Sequence, residues 1–243
     1  MDMASMSNTI EAAEAAHFGS MAADWWDPKG TSAMLHKLNP VRLAFVRACI
    51  DNHFGADARG LKPLTGKSVI DVGCGAGLMC EPLSRMGGVV TGIDAAPENV
   101  DVAAAHAAGQ GLNITYWCGD VAEIDEQFDV VTSMEVIEHV SDPAAFLRAL
   151  ARCLKPGGLM ILSTPNRTPL SKLGIVTIGE SIGGIPKGTH DWNKFITPDE
   201  MTDLAVDAGL EVNEIAGISF NPTRGFILSE NTQLNYLMRL VKV

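Results

Sequence analysis

The chain has 243 residues, 47% hydrophobic and 19% charged, with a formal net charge of -11 at pH 7. That length suits one α/β domain with terminal extensions, since domains commonly run to roughly 100–200 residues and can exceed that. No apolar stretch approaches the roughly 18 residues of a membrane span, and so acidic a chain lacks the clustered Lys and Arg that a polyphosphate backbone requires, which excludes nucleic acid as the expected partner.

In chain order, Thr9 to about Ala23 reads as an N-terminal helix leading into a turn at Trp25-Trp26-Asp27-Pro28. Asn39-Pro40 reads as the start of a second helix, with Asn39 as N-cap and Val41 to Phe54 continuing at helical spacing. Residues 1–60 are thus expected to form a helical cap on a main domain at 61–243. From Lys67 the period changes. Ser68–Val72 is a short apolar strand running into glycines, and Leu78–Met86 suits a helix. The alternation continues with strand Val89–Asp94, helix Pro97–Ala108, strands Ile114–Trp117 and Phe128–Met134, helix Pro143–Leu154 and strand Leu159–Ser163. Buried strands alternating with helices predict a mostly parallel, doubly wound sheet with right-handed crossovers. Pro165 to Thr197, rich in Gly, Ser, Thr and Pro around an apolar middle, breaks the rhythm and reads as an insertion or lid. A helix at Pro198–Ala208, capped by Thr197, and strands at Leu210–Ile218 and Leu234–Val243 close the chain.

The five cysteines, Cys49, Cys74, Cys80, Cys118 and Cys153, show no CxxC pair or metal-type spacing and read as reduced thiols. The N-terminus carries Glu11 and Glu14 and has no arginine before Arg42, so neither a secretory signal nor a transit peptide fits, and a bacterial cytoplasmic setting is the expectation.

Gly73, Gly75 and Gly77 follow the first strand and open a helix, so a ligand can approach the backbone at a helix N-terminus. Dinucleotide folds usually carry GxGxxG there. This chain has GxGxG preceded by Asp71, which favours a nucleoside without pyrophosphate and disfavours a nicotinamide dehydrogenase. Asp94, ending the second strand, is placed to accept from ribose hydroxyls, and Asp120, after the third, from an adenine amino group. Met134 ends the fourth strand and offers backbone and apolar contact. Each acid alone is an ordinary loop residue or helix cap; their arrival at successive strand ends points to S-adenosylmethionine (SAM).

Together, Asp71 to Gly77, Asp94, Met134-Glu135-Val136-Ile137-Glu138-His139, Lys155-Pro156-Gly157-Gly158 and Lys187-Gly188-Thr189-His190-Asp191 resemble the ubiquinone-biosynthesis O-methyltransferase family. Trp25-Trp26-Asp27, Leu38 to Arg42 and Asn221-Pro222 extend the likeness over nearly the whole chain. The glycine loop and Lys-Pro-Gly-Gly are shared across class I methyltransferases; the Trp-Trp-Asp and Lys-Gly-Thr-His-Asp segments discriminate. The resemblance implies a class I Rossmann-like α/β fold with an antiparallel C-terminal strand. It also implies methyl transfer from SAM to phenolic oxygens of polyprenylated catechols. Arg42, Gly73, Asp94 and Met134 carry over as cofactor-binding positions, and Arg42 then becomes a candidate ligand of the cofactor carboxylate.

A phenol, with a pKa near 10 like Tyr, must be deprotonated near neutral pH. Two devices are open, a metal or a histidine base. Glu135, Glu138 and His139 stand at i, i+3 and i+4, so one helical turn would gather them for a divalent cation, Mg²⁺ being the natural choice. Such a Glu-His pair also caps helices in metal-free methyltransferases. His139, His190 and Glu135 are the candidate catalytic groups. The segment 167–187 combines apolar residues with Arg167, Lys172 and Lys187 against Glu180, which suits contact with anionic lipid at the inner membrane face, or a lid packed on the sheet. Other ubiquinone-biosynthesis proteins are possible partners by resemblance. Two alternatives stay open, methylation of another small phenol and a non-catalytic SAM-binding partner of a biosynthetic complex.

Overall fold

The computed structural model describes residues 9–30, 32–57, 59–179 and 189–243. Eight strands form one sheet: β1 (Ser68–Val72), β2 (Val89–Asp94), β3 (Thr115–Cys118), β4 (Phe128–Met134), β5 (Leu154–Pro165), β6 (Leu210–Asn221), β7 (Gly225–Ser229) and β8 (Asn235–Lys242). Their spatial order is β3-β2-β1-β4-β5-β8-β6-β7. The pairs among β1 to β5 are parallel, and β8 runs antiparallel to both β5 and β6. The strand order reverses between β1 and β4, and the crevice at the carboxyl ends of these strands is where open α/β sheets bind ligands.

Alternation along each strand splits the core into two layers. Ile70, Val131 and Met160 face α5 (Pro143–Arg152) and α7 (Pro198–Asp207), packing with Leu147, Leu150 and Met201. Their sequence neighbours Val69, Val130, Leu159 and Ile161 face the other way, where Phe45, Val46 and Ile50 of α2 (Ala33–Phe54) and Leu83 of α3 (Cys80–Arg85) cover them. The N-terminal helical region therefore supplies part of the sheet's own cover.

Two local expectations are corrected. Asn39 is not a helix N-cap: α2 already begins at Ala33, Pro40 lies inside it, and the Asn39 amide donates to the Leu78 carbonyl at 3.1 Å. Proline at that position forfeits only the bond to the His36 carbonyl, while His36 and Leu38 anchor the added turns, His36 Nε2 lying 2.7 Å from the Trp25 carbonyl and Leu38 packing on the core. The second is an extra edge strand. β6 turns at Asn221, whose side chain accepts from the Thr223 and Arg224 amides, and Gly225, with φ of 74°, begins the return as β7. In the insertion, a short capped turn α6 (Pro169–Ser171) leads into a π-helical stretch at Lys172–Gly179. Glu180, Ile182, Ile185, Lys187 and Gly188 lie outside the described residues.

Candidate active site

The chain turns sharply after β1. The Gly73 and Cys74 amides both donate to the Ile93 carbonyl, and Gly73, Gly75 and Gly77 all have positive φ. Side chains of this protein use the room that glycine leaves. A Cβ on Gly73 would lie 2.3 Å from Val136, and one on Gly75 would lie 2.3 Å from the Trp25 ring. Trp26 completes the clamp: its indole donates to the Ala76 carbonyl at 3.0 Å and stacks on His106, which bonds to buried Glu81. The Trp-Trp-Asp segment is thus a brace on the glycine loop.

Arg42, Asp71, Gly73, Asp94, Asp120, Met134, Glu135, His139 and His190 line one cavity of about 400 Å³; Gly75, Gly77 and Glu138 stand behind its wall. Asp94 accepts from the Gly75 amide at 2.8 Å, the Ala96 amide at 2.9 Å and the Asn99 side chain at 3.0 Å, so it ties the loop to the helix α4 (Pro97–Gly109). Burial raises its pKa against those donors. Asp71 is fully buried and accepts from Thr132 and Cys80; burial lifts its pKa to about 6. Asp120 accepts from the Thr9 amide at 2.7 Å and the Thr9 hydroxyl at 3.0 Å, as well as the Ala122 amide. The acid expected to meet adenine is therefore already held by the N-terminal segment. Arg42, 4% exposed, pairs through Nη2 with Glu135 Oε1 at 3.3 Å without an aligned hydrogen bond, and its Nε has no hydrogen-bond acceptor among the described residues. A buried guanidinium donor without an acceptor at a cavity wall suits an anionic ligand.

At the other end of the cavity the chain leaves β4 through Glu135, the one described non-glycine residue with positive φ, at 58°. Holding a residue with a side chain there costs about 1–3 kcal/mol, and such a backbone persists only where its surroundings fix it. They do: Ser163 donates to Oε1 at 2.6 Å and Asn235 to Oε2 at 2.7 Å, with Arg42 alongside. Beyond Val136 the chain makes a single 3₁₀ turn, Ile137–His139, so the expected helical face does not form. Glu138 points inward, accepting from Thr164 at 2.9 Å, with its other oxygen buried and 3.9 Å from His139 Nε2. Burial, then the neighbouring Glu135, raises the Glu138 pKa. Glu135 is already engaged by Ser163, Asn235 and Arg42, and no group of three His, Cys, Asp or Glu able to hold a metal occurs among the described residues. The expected Mg²⁺ cluster of Glu135, Glu138 and His139 does not fit this arrangement.

His139 has a partner that no motif announced. Glu14, on α1 (Ala12–Gly19), lies 3.2 Å from its Nδ1. Burial works against the charged ring, but the Glu14 hydrogen bond and the charges of Glu138, Glu14 and Glu135 outweigh it and raise the His139 pKa. His190 lies beside it, ring centroids 5.9 Å apart, and edges against Phe195. Asp191 turns away from this imidazole to cap Asn193. Lys194 bonds to Glu11 and Thr9 to Asp120, so α1 and the residues leading into it are fastened across the cavity at three points. Sequence offered only one signal for this, two acids and a threonine on an otherwise small-residue segment.

Comparison with known proteins agrees with this geometry. Residues 52–215 match the methyltransferase domain family. The chain is 18% identical to magnesium protoporphyrin IX methyltransferase from Synechocystis with bound SAM, with a TM-score of 0.65 over 98% of this chain and all of that one. A SAM-dependent methyltransferase from Aquifex aeolicus is 21% identical, with a TM-score of 0.63 over 93% of this chain and 98% of that one. Both establish a class I methyltransferase fold. Among sequence relatives, the ubiquinone biosynthesis O-methyltransferase of Parvibaculum lavamentivorans is 46% identical over 95% of this chain and 93% of its own length. That of Cereibacter sphaeroides is 46% identical over 98% and 99%. On full-length identity of that order, with the brace, glycine loop and acceptor turn in one cavity, the chain belongs to the ubiquinone biosynthesis O-methyltransferase family.

Proposed function

We propose that the protein transfers the methyl group of SAM to a phenolic oxygen of a polyprenylated catechol in ubiquinone biosynthesis. One observation carries this reading: a single cavity joins the glycine loop and Asp94 to Glu135, His139 and His190. Bound SAM supplies a methyl already activated on a sulfonium. The chain's residues then have three tasks, to hold the cofactor, to deprotonate the acceptor and to exclude water.

Asp94 accepts from the ribose hydroxyls, Met134 gives apolar contact, and Arg42 pairs with the carboxylate. Asp71, Gly73, Gly75 and Gly77 set the loop. Asp120 accepts from the adenine amino group only if it shares or exchanges Thr9. His139 is the base. With Nδ1–H donating to Glu14, Nε2 keeps its lone pair and takes the phenol proton as the new O–C bond forms and the electron pair of the old bond returns to sulfur. Glu14 then faces an imidazolium. His190 orients the acceptor, and Glu135 acts through Arg42 and Asn235 as a positioning residue. None of these steps runs through a metal.

Peripheral lipid contact belongs to the same proposal. No helix among the described residues is long and apolar enough to cross a membrane. Leu170 and Leu173 are exposed beside Arg167 and Lys172, which supports contact with a lipid surface through apolar side chains. The deciding experiment is methyl transfer from labelled SAM to prenylated and chainless catechols by the purified protein. The expected product is the aryl methyl ether, and absence of product from every catechol would reject the proposal.

A further inference from the structure

The main cavity has a second, smaller neighbour. About 210 Å³ in volume, it is lined by Leu170, Ile218, Ser219, Phe220, Asn231 and Leu234. Ile218 and Leu234 belong to the walls of both. Ile218 is fixed by pairing with Asn235 and Leu228 in the sheet, whereas Leu234 follows the Asn231–Gln233 turn and packs near Gly174. On the outer side Leu170 is 43% and Phe220 62% exposed, large apolar side chains presented to solvent at the mouth of a groove.

Shared walls decide what the groove holds. Pockets of this kind enclose about one drug-sized ligand, so a long hydrocarbon chain on a ring seated beside the cofactor extends beyond the cavity, and the groove that shares Ile218 and Leu234 with it is contiguous. Resting on the proposed reaction, we infer that the acceptor's hydrocarbon tail leaves the catalytic cavity between Ile218 and Leu234 and lies on the groove of Leu170 and Phe220. The ring is then held at His139 while the tail runs over the β6–β7 hairpin and the start of the insertion. Leu170 and Phe220 become specificity-determining residues for chain length, outside the chemistry.

The test compares kcat/KM for a farnesylated catechol with that for the same catechol without a chain. In the wild type the farnesylated acceptor is expected to be preferred by about tenfold or more, the worth of one buried apolar side chain. The double variant Leu170→Glu, Phe220→Glu, at exposed positions, should reduce that ratio about tenfold while adenosylhomocysteine affinity stays constant. Leu234→Trp, which plugs the passage, should reduce it as well. A wild-type ratio near one, or a ratio unchanged in the double variant, overturns the tail path even if methyl transfer is intact. Failure of the wild type to methylate either catechol rejects the reaction itself, a different result.

Discussion

The pH at which His139 can act as base is set by three carboxylates. Because its pKa is raised, the neutral ring is lost as pH falls through a value above the ordinary 6.5, so the acidic limb of kcat should lie above that point. Glu14→Gln removes the hydrogen-bonded charge and should move the limb to lower pH, and His139→Ala should lower kcat by about 10²–10⁴. A pH profile of initial rates checks both. Arg42 offers a second residue-scale test. Arg42→Met should weaken adenosylhomocysteine binding by about 10- to 100-fold, the worth of charge-assisted hydrogen bonds of ~1.5–3 kcal/mol. Binding of 5′-methylthioadenosine, which lacks the carboxylate, should change far less, as calorimetry would measure. The variant also strips Glu135 of its counterion, so a lower melting temperature should accompany the effect.

Among elements, strands β1, β4 and β5 are tied at their starts by Asp129, which accepts from Ser68 and from Lys155 at 2.8 Å. Burial alone would raise its pKa; the Lys155 and Ser68 bonds win and hold it at about 2, below its ordinary 3.8. The stabilisation is therefore present above pH ~4 and lost as pH falls toward 2. Urea midpoints of wild type and Asp129→Asn should differ at pH 7 and converge near pH 2. Gly75→Ala is expected to be harsher, costing more than about 1 kcal/mol, because φ is positive and the Trp25 ring fills the space; thermal melting reports it. Most of these elements were legible in sequence because strand and helix periods differ and buried parallel strands read as apolar runs. Asn39 misled because Asn-Pro is a good local helix start, and only tertiary packing decides that the helix begins earlier. Edge strand β7 has a turn signal, Asn221 to Gly225, but a weak apolar pattern. The acceptor turn was misread as a helix because periodicity cannot register the left-handed backbone at Glu135. Glu14 was invisible, since its role exists only once α1 lies against the cavity.

At the scale of the molecule, net charge of -11 opposes anionic surfaces, and Arg167 pairs with Glu200 while Lys172 sits over Trp192. Any membrane attachment should then rest on apolar insertion. Flotation with vesicles rich in anionic lipid should show weak binding that Leu173→Glu abolishes and that moderate salt does not weaken. The helix α1 has a different consequence. Thr9, Glu14 and Glu11 hold it to the nucleoside end, the acceptor end and the insertion side in turn, so one segment roofs both halves of the cavity. Movement of α1 would then uncover the nucleoside and acceptor ends together. The residence time of adenosylhomocysteine should follow the opening rate of α1, and Thr9→Val should speed its departure in stopped-flow displacement more than it slows its entry.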